Sequence, residues 1–134
     1  MATADRCDLL FVVVGTPHES DMTTTLIRLL HASLDLGGRV QVWTCGYATM
    51  LTQRSLGEGK PRNLVAWSQH YPSTATLVAD LVNEREGRLG WYVCRFCSEE
   101  RGATEHIPEA QVRPALKFAN HVTSARKTVF MGVI

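Results

Sequence analysis

Thiols carry most of the chemistry this chain can offer. Cys94-Arg95-Phe96-Cys97 is a C-x-x-C pair, Cys45 and Cys7 stand apart from it, and His18 follows a Gly-Thr-Pro turn. Four cysteines in 134 residues are too few for the disulfide framework of a small secreted domain. In a reducing compartment they serve as free thiols, metal ligands or nucleophiles. The pair admits three chemistries. A dithiol–disulfide oxidoreductase of the thioredoxin type uses C-x-x-C, but there the motif follows an early strand, whereas here it comes at residue 94. Zinc is the second: Cys45, Cys94 and Cys97 with His18 or His106 make a Cys₃His set. The third is persulfide chemistry, in which a cysteine accepts a sulfur atom and passes it on by nucleophilic attack.

Strands and helices that alternate along the chain must position these groups. Asp8–Gly15 is a continuous apolar run rich in branched residues, which suits a strand buried on both faces of a parallel sheet. Met22, Leu26, Leu29, Leu30 and Leu34 then recur at helical spacing until Gly37-Gly38 stops the helix. Arg39–Cys45 is a second strand, completing a βαβ unit whose crossover should be right-handed. A turn of helix is expected at Ala48–Leu51, a loop over Ser55–Arg62 and a short helix over Asn63–His70. Pro72-Ser73-Thr74 caps a clearer helix with Leu77, Val78, Leu81 and Val82 on one face and Gly87 at its end. Leu89–Cys94 is a third strand, followed by a short helix from about Phe96 to Arg101. A short strand at Ala110–Arg113 precedes a helix with Pro114 at its first position and Ala115, Phe118, Ala119 and Val122 facing inward. Lys127–Val133 closes the chain as a last strand. The alternation predicts one domain over residues 1–134, a three-layer α/β/α sandwich with a mainly parallel sheet.

That architecture sorts the cysteines. Ligands of open parallel sheets bind beyond the carboxyl ends of the strands, near the point where the winding reverses. Cys7 begins the first strand and lies at the opposite edge. Cys45 ends the second strand, Cys94 ends the third with Cys97 just beyond, and Gly15-Thr16-Pro17-His18 leaves the same edge. Three thiols and one imidazole are therefore expected around a common crevice. A thiolate at a strand-to-helix junction gains from the positive end of the helix, and Arg95 and Arg101 add to this while Glu99 and Glu100 oppose it.

Cys94-Arg-Phe-Cys-Ser-Glu-Glu-Arg-Gly102, a strand ending in Cys with Arg-Gly following, resembles the DsrE/DsrF/TusD-like family of sulfur-relay proteins. The apolar first strand, the Gly15-Thr16-Pro17 turn and the polar helix start after it match as well, so the resemblance runs from about Leu9 to Val133. It implies a DsrE-like α/β fold and a homo-oligomer, a trimer or hexamer. It also implies a sulfur carrier or sulfurtransferase whose acceptor cysteine corresponds to Cys94. Cys97 would then resolve the persulfide as a disulfide, Cys45 shield or relay the sulfur, and Arg101 with the helix amides steady the thiolate. Gly102, Thr16, Pro17 and His18 complete the expected site. Sulfur donor and acceptor proteins are the expected partners, and no cofactor is required. At the end of the second strand this chain has Thr44-Cys45-Gly46-Tyr47 where the family often has an Asp-Gly turn, which adds a third thiol. The other two readings stay open beside this one: a zinc-binding or structural oligomeric module on Cys45, Cys94, Cys97 and His18, and a C-x-x-C oxidoreductase.

Charge and composition exclude other classes. Lys plus Arg number 14 and Asp plus Glu 13, a net charge of +1 that lacks the broad basic footprint of nucleic-acid binders. The longest apolar run, Leu9–Val14, is far short of the roughly 20 residues needed to span a bilayer, and no basic leader precedes it, so a cytoplasmic, membrane-free protein is expected. Neither a nucleotide-binding glycine loop nor a serine-nucleophile elbow is present. Arg54, Lys60 and Arg62 make the middle loop basic, which suits a solvated loop or an acidic partner. His31, His70 and His121 fall on expected helices as surface residues, and adjacent Trp91 and Tyr92 point to opposite faces, one of them towards a neighbouring subunit.

Overall fold

A computed structural model describes residues 6–15, 17, 21–58 and 71–132. Five strands form one sheet: β1 (Cys7–Val14), β2 (Val40–Cys45), β3 (Leu89–Cys94), β4 (Ala110–Arg113) and β5 (Ala125–Gly132). All neighbours run parallel, in the order β4-β3-β2-β1-β5. The chain thus winds outward from β1 to β4 and then returns to the far side of β1. β1 is central, and its Leu10, Phe11, Val12 and Val13 are all buried, as a strand covered on both faces requires.

Alternation along the strands sends side chains to two separate cores. On one face Phe11, Val13, Val42, Trp91 and Val93 pack against α1 (Met22–Asp35) and α2 (Thr74–Glu84). Leu26, Leu30 and Leu34, one helical turn apart, supply the buried stripe of α1. In α2 the Ser73 hydroxyl accepts the Thr76 N–H at 3.1 Å, an N-cap of the expected kind, and Ala75, Val78 and Leu81 are buried. On the other face Leu10, Val12, Trp43, Tyr92 and Cys94 pack beneath α4 (Phe118–Ser124) through Phe118 and Val122. The fold is a three-layer α/β/α arrangement with a wholly parallel sheet.

Some expectations need correction. His121 is buried, not superficial: its ring lies against Trp43 and Tyr92, with centroids 5.1 and 4.4 Å away, and its Nδ1 bonds Gln41 Oε1 at 2.9 Å. Tyr92 therefore packs beneath α4 instead of facing a neighbour, and Trp91 is buried in the opposite core. Pro114 precedes a 3₁₀ turn, Ala115–Lys117, and α4 starts only at Phe118, which rotates Ala115 and Ala119 outward and His121 inward. β5 begins two residues earlier than expected and is largely exposed, as an edge strand can be. The expected helix at Asn63–His70, together with Lys60, Arg62 and Trp67, lies outside the described residues. No helix among the described residues is long and apolar enough to cross a membrane.

Candidate functional site

Two strands end side by side in cysteines. β2 and β3 pair from Val40 with Leu89 to Thr44 with Val93, so Cys45 and Cys94, next in each strand, leave the sheet together on the face of Trp43 and Tyr92. After Cys45 the chain turns sharply at Gly46, whose φ of 61° favours glycine, into a 3₁₀ segment, Gly46–Thr52. After Cys94 it enters α3 (Arg95–Glu100) at once, with Cys94 as the residue before the helix. One turn of helix is enough to bring residue 97 back over residue 94. The Sγ atoms of Cys45, Cys94 and Cys97 consequently all lie within 4.8 Å of one another. All are free thiols; Cys94 is buried, while Cys45 and Cys97 are half-buried. The site lies at the ends of β2 and β3, one strand away from the β1–β5 reversal of winding.

Burial decides the resting protonation of these groups. It raises Cys94 above the ordinary thiol range, against the backbone N–H groups of Cys97 and Phe96, which bond its sulfur and pull the other way. Cys45 is raised to about 12, again by burial first, although the Trp43 indole N–H donates to its sulfur at 2.9 Å and lowers it. The positive end of a six-residue helix thus does not outweigh desolvation. Cys45 and Cys94 rest as protonated thiols near neutral pH.

The surrounding residues hold α3 in place. Ser98 is buried and donates to the Ala103 carbonyl; its Oγ also lies 2.8 Å from His106 Nε2, and His106 Nδ1 lies 3.0 Å from Thr52 Oγ1. With the Ser98 proton on Ala103, Nε2 of His106 carries the hydrogen and Nδ1 accepts from Thr52. Burial lowers the His106 pKa, which keeps the ring in that neutral form. The network ties α3 to the end of the 3₁₀ segment after Cys45, so both arms of the thiol cluster share one brace. Arg101 caps α3: its guanidinium stacks on Tyr47, 4.7 Å from the ring centroid, and bonds the Cys97 carbonyl at 3.3 Å. Gly102, with φ of 68°, turns the chain away.

Of the residues expected from sequence, the structure brings Cys45, Cys94 and Cys97 together and sets Arg101 and Gly102 at the end of α3. Pro17 is half-buried, while Thr16 and His18 lie outside the described residues. His106 bonds Ser98 and Thr52, and no histidine among the described residues shares the thiol cluster. Cys7 sits at the far edge as expected, where burial and Asp8 raise it to about 11. Two open grooves of about 750 and 680 Å³ lie at that amino edge, both lined by Arg6, Cys7 and Arg39; the three clustered thiols line neither. Trp43, Tyr47 and Ser98 were not singled out from sequence as parts of the site. Trp43 was detectable in principle, since residues two apart on a strand share a face.

No family model matches the sequence, and no curated protein matches it. Among solved structures, the ychN protein from E. coli superimposes with a TM-score of 0.71 at 14% identity, covering 92% of this chain and 98% of that one. That protein has a DsrE-like fold, and this chain has the same fold.

Proposed function

We propose that the protein is a sulfur carrier of the persulfide-relay kind. The observation that carries this reading is the mutual approach of three thiol sulfurs within 4.8 Å at the carboxyl edge of a DsrE-like sheet. A sulfane sulfur held on one of them is within reach of the other two after small side-chain rotations. Half-buried Cys97 meets the donor, and buried Cys94 stores the sulfur away from water. In the transfer, the Cys94 thiolate attacks the outer sulfur of the Cys97 persulfide; the sulfur–sulfur bond of Cys97 breaks, and Cys97 leaves as a thiolate that takes up the proton lost by Cys94. Alternatively Cys97 attacks the inner sulfur of a Cys94 persulfide, which forms a Cys94–Cys97 disulfide and releases hydrosulfide.

The proposed partners are donor and acceptor proteins that present a cysteine, and further copies of this chain. Edge strand β5, unpaired on its outer side among the described residues, exposes Val129 on one face and Phe130 on the other, and its open edge suits self-association. The test of the relay is intact-protein mass spectrometry after incubation with a persulfide donor, in the presence of a chelator. Wild type is compared with Cys94→Ser, Cys97→Ser and Cys45→Ser. Relay requires the mass of one or more sulfur atoms on the wild type, its loss in Cys97→Ser, and in Cys94→Ser a sulfur that stays on Cys97. Absence of uptake by wild type removes the proposal.

A further inference from the structure

We propose that Cys45, Cys94 and Cys97 form a three-thiolate site for a zinc ion, with a fourth position left for water or an exogenous thiolate or hydrosulfide. Geometry comes first. Zn–S bonds of about 2.3 Å in a tetrahedron place sulfurs about 3.8 Å apart. The three Sγ atoms, all within 4.8 Å of one another, need to close by no more than about 1 Å, which side-chain rotation supplies. The ligands come from two adjacent strand ends and one helical turn, so the backbone fixes their spacing before any ion arrives.

The immediate surroundings fit sulfur ligands of this kind. The Trp43 indole N–H points at Cys45 Sγ, and the backbone N–H groups of Cys97 and Phe96 bond Cys94 Sγ. Such donors favour thiolate over thiol and take up part of the excess negative charge around a metal. What they do not supply is a full positive charge, and burial accordingly keeps Cys45 and Cys94 protonated. A divalent ion provides it: three thiolates and Zn²⁺ sum to a single negative charge, with one proton released for each thiol that binds. Thiolate ligands select soft ions over magnesium or calcium. Among the described residues no imidazole or carboxylate joins the cluster, and in the proposed site water or an exogenous thiolate fills the fourth position.

The zinc site uses the same sulfurs as the relay but needs no sulfur transfer, so the two fail separately. The probe is Co²⁺ added to the reduced, chelator-stripped full chain without any sulfur donor. The expected result is saturation at one equivalent, with a sulfur-to-metal charge-transfer band and the visible bands of a tetrahedral ion, both displaced by Zn²⁺. Cys45→Ser, Cys94→Ser and Cys97→Ser should each lose most of the charge-transfer band, and Cys7→Ser should keep it. Zinc should also slow alkylation of three thiols in wild type, a readout that requires no variant to fold. Lack of a saturable band in wild type, or an unchanged band in folded Cys45→Ser, overturns the proposal.

Discussion

The indole N–H of Trp43 donates to the Cys45 sulfur across 2.9 Å, a contact between residues two apart on the same face of β2. The ring itself is fully buried beneath α4, against Phe118 and His121. One side chain thus joins the packing of the second core to the electronic state of a candidate site residue. The bond favours the charged form of Cys45, but burial outweighs it and the thiol stays protonated.

Trp43→Phe separates the two roles, since phenylalanine fills much of the space without the donor. Losing one hydrogen bond to an ionised group costs that form about 1.5 kcal/mol, or roughly a tenfold smaller thiolate fraction. Alkylation of Cys45, followed by peptide mass spectrometry, should slow by about that factor at any pH below its pKa. An unchanged rate in a folded variant would show that the indole contact does not tune the sulfur.

His121 should make stability depend on pH. Its Nδ1 is held by Gln41, its Nε2 has no partner among the described residues, and the rings of Trp43 and Tyr92 lie against it, with the Arg113 charge nearby. Burial first, and Arg113 second, lower its pKa from 6.5 to about 4. The unfolded chain therefore binds a proton more readily than the native one between those values. The contribution is fully present above about pH 6.5 and is lost as pH falls towards about 4, to the extent of about 3 kcal/mol. Denaturant titrations of wild type and His121→Phe at pH 7.5 and pH 4.5 check this. Acid should destabilise wild type more than the variant, and equal losses would exclude His121 as the source.

How far sequence can be read shows in these same residues. The strand ends that gather Cys45, Cys94 and Cys97 were legible because an apolar β-run announces both its direction and its limit. α4 was harder: a seven-residue helix after a 3₁₀ turn has too short a period to fix its phase, and a shift of that phase put His121 inside. The brace through Thr52, Ser98 and His106 joins residues up to 54 positions apart, and no local pattern encodes such a contact. The sign of the thiol pKa shifts was equally illegible, since it depends on depth of burial.

Ser98→Ala tests that brace. The substitution takes the Ser98 hydroxyl away from the buried Ala103 carbonyl, an acceptor, and from the buried His106 Nε2–H, a donor, which costs about 1–3 kcal/mol. The denaturation midpoint should fall accordingly. Because α3 also carries Cys97, alkylation of that residue should quicken under native conditions. A lower midpoint with unchanged Cys97 reactivity would confine Ser98 to overall stability.

Self-association through β5 has its own test. Phe130 is 67% exposed on an edge strand, where an introduced carboxylate costs the monomer little. Sedimentation should find wild type as a homo-oligomer and Phe130→Glu as a smaller species with an unchanged circular dichroism spectrum. A monomeric wild type would remove the assembly from the proposal.

The pH profile of sulfur uptake ties function to burial. Transfer from a Cys97 persulfide requires a Cys94 thiolate, and burial raises Cys94 above the ordinary thiol range despite two backbone donors. Thiolate then forms only a small fraction of Cys94 near neutrality, and that fraction grows about tenfold per pH unit while the pH stays below the pKa. The rate of Cys94 labelling, read by peptide mass spectrometry in Cys45→Ser/Cys97→Ser protein to separate it from Cys7, should climb steadily from pH 7 to pH 9. A plateau reached below pH 8 would mean that the helix amides outweigh desolvation, and that Cys94 rests as a thiolate ready to accept sulfur.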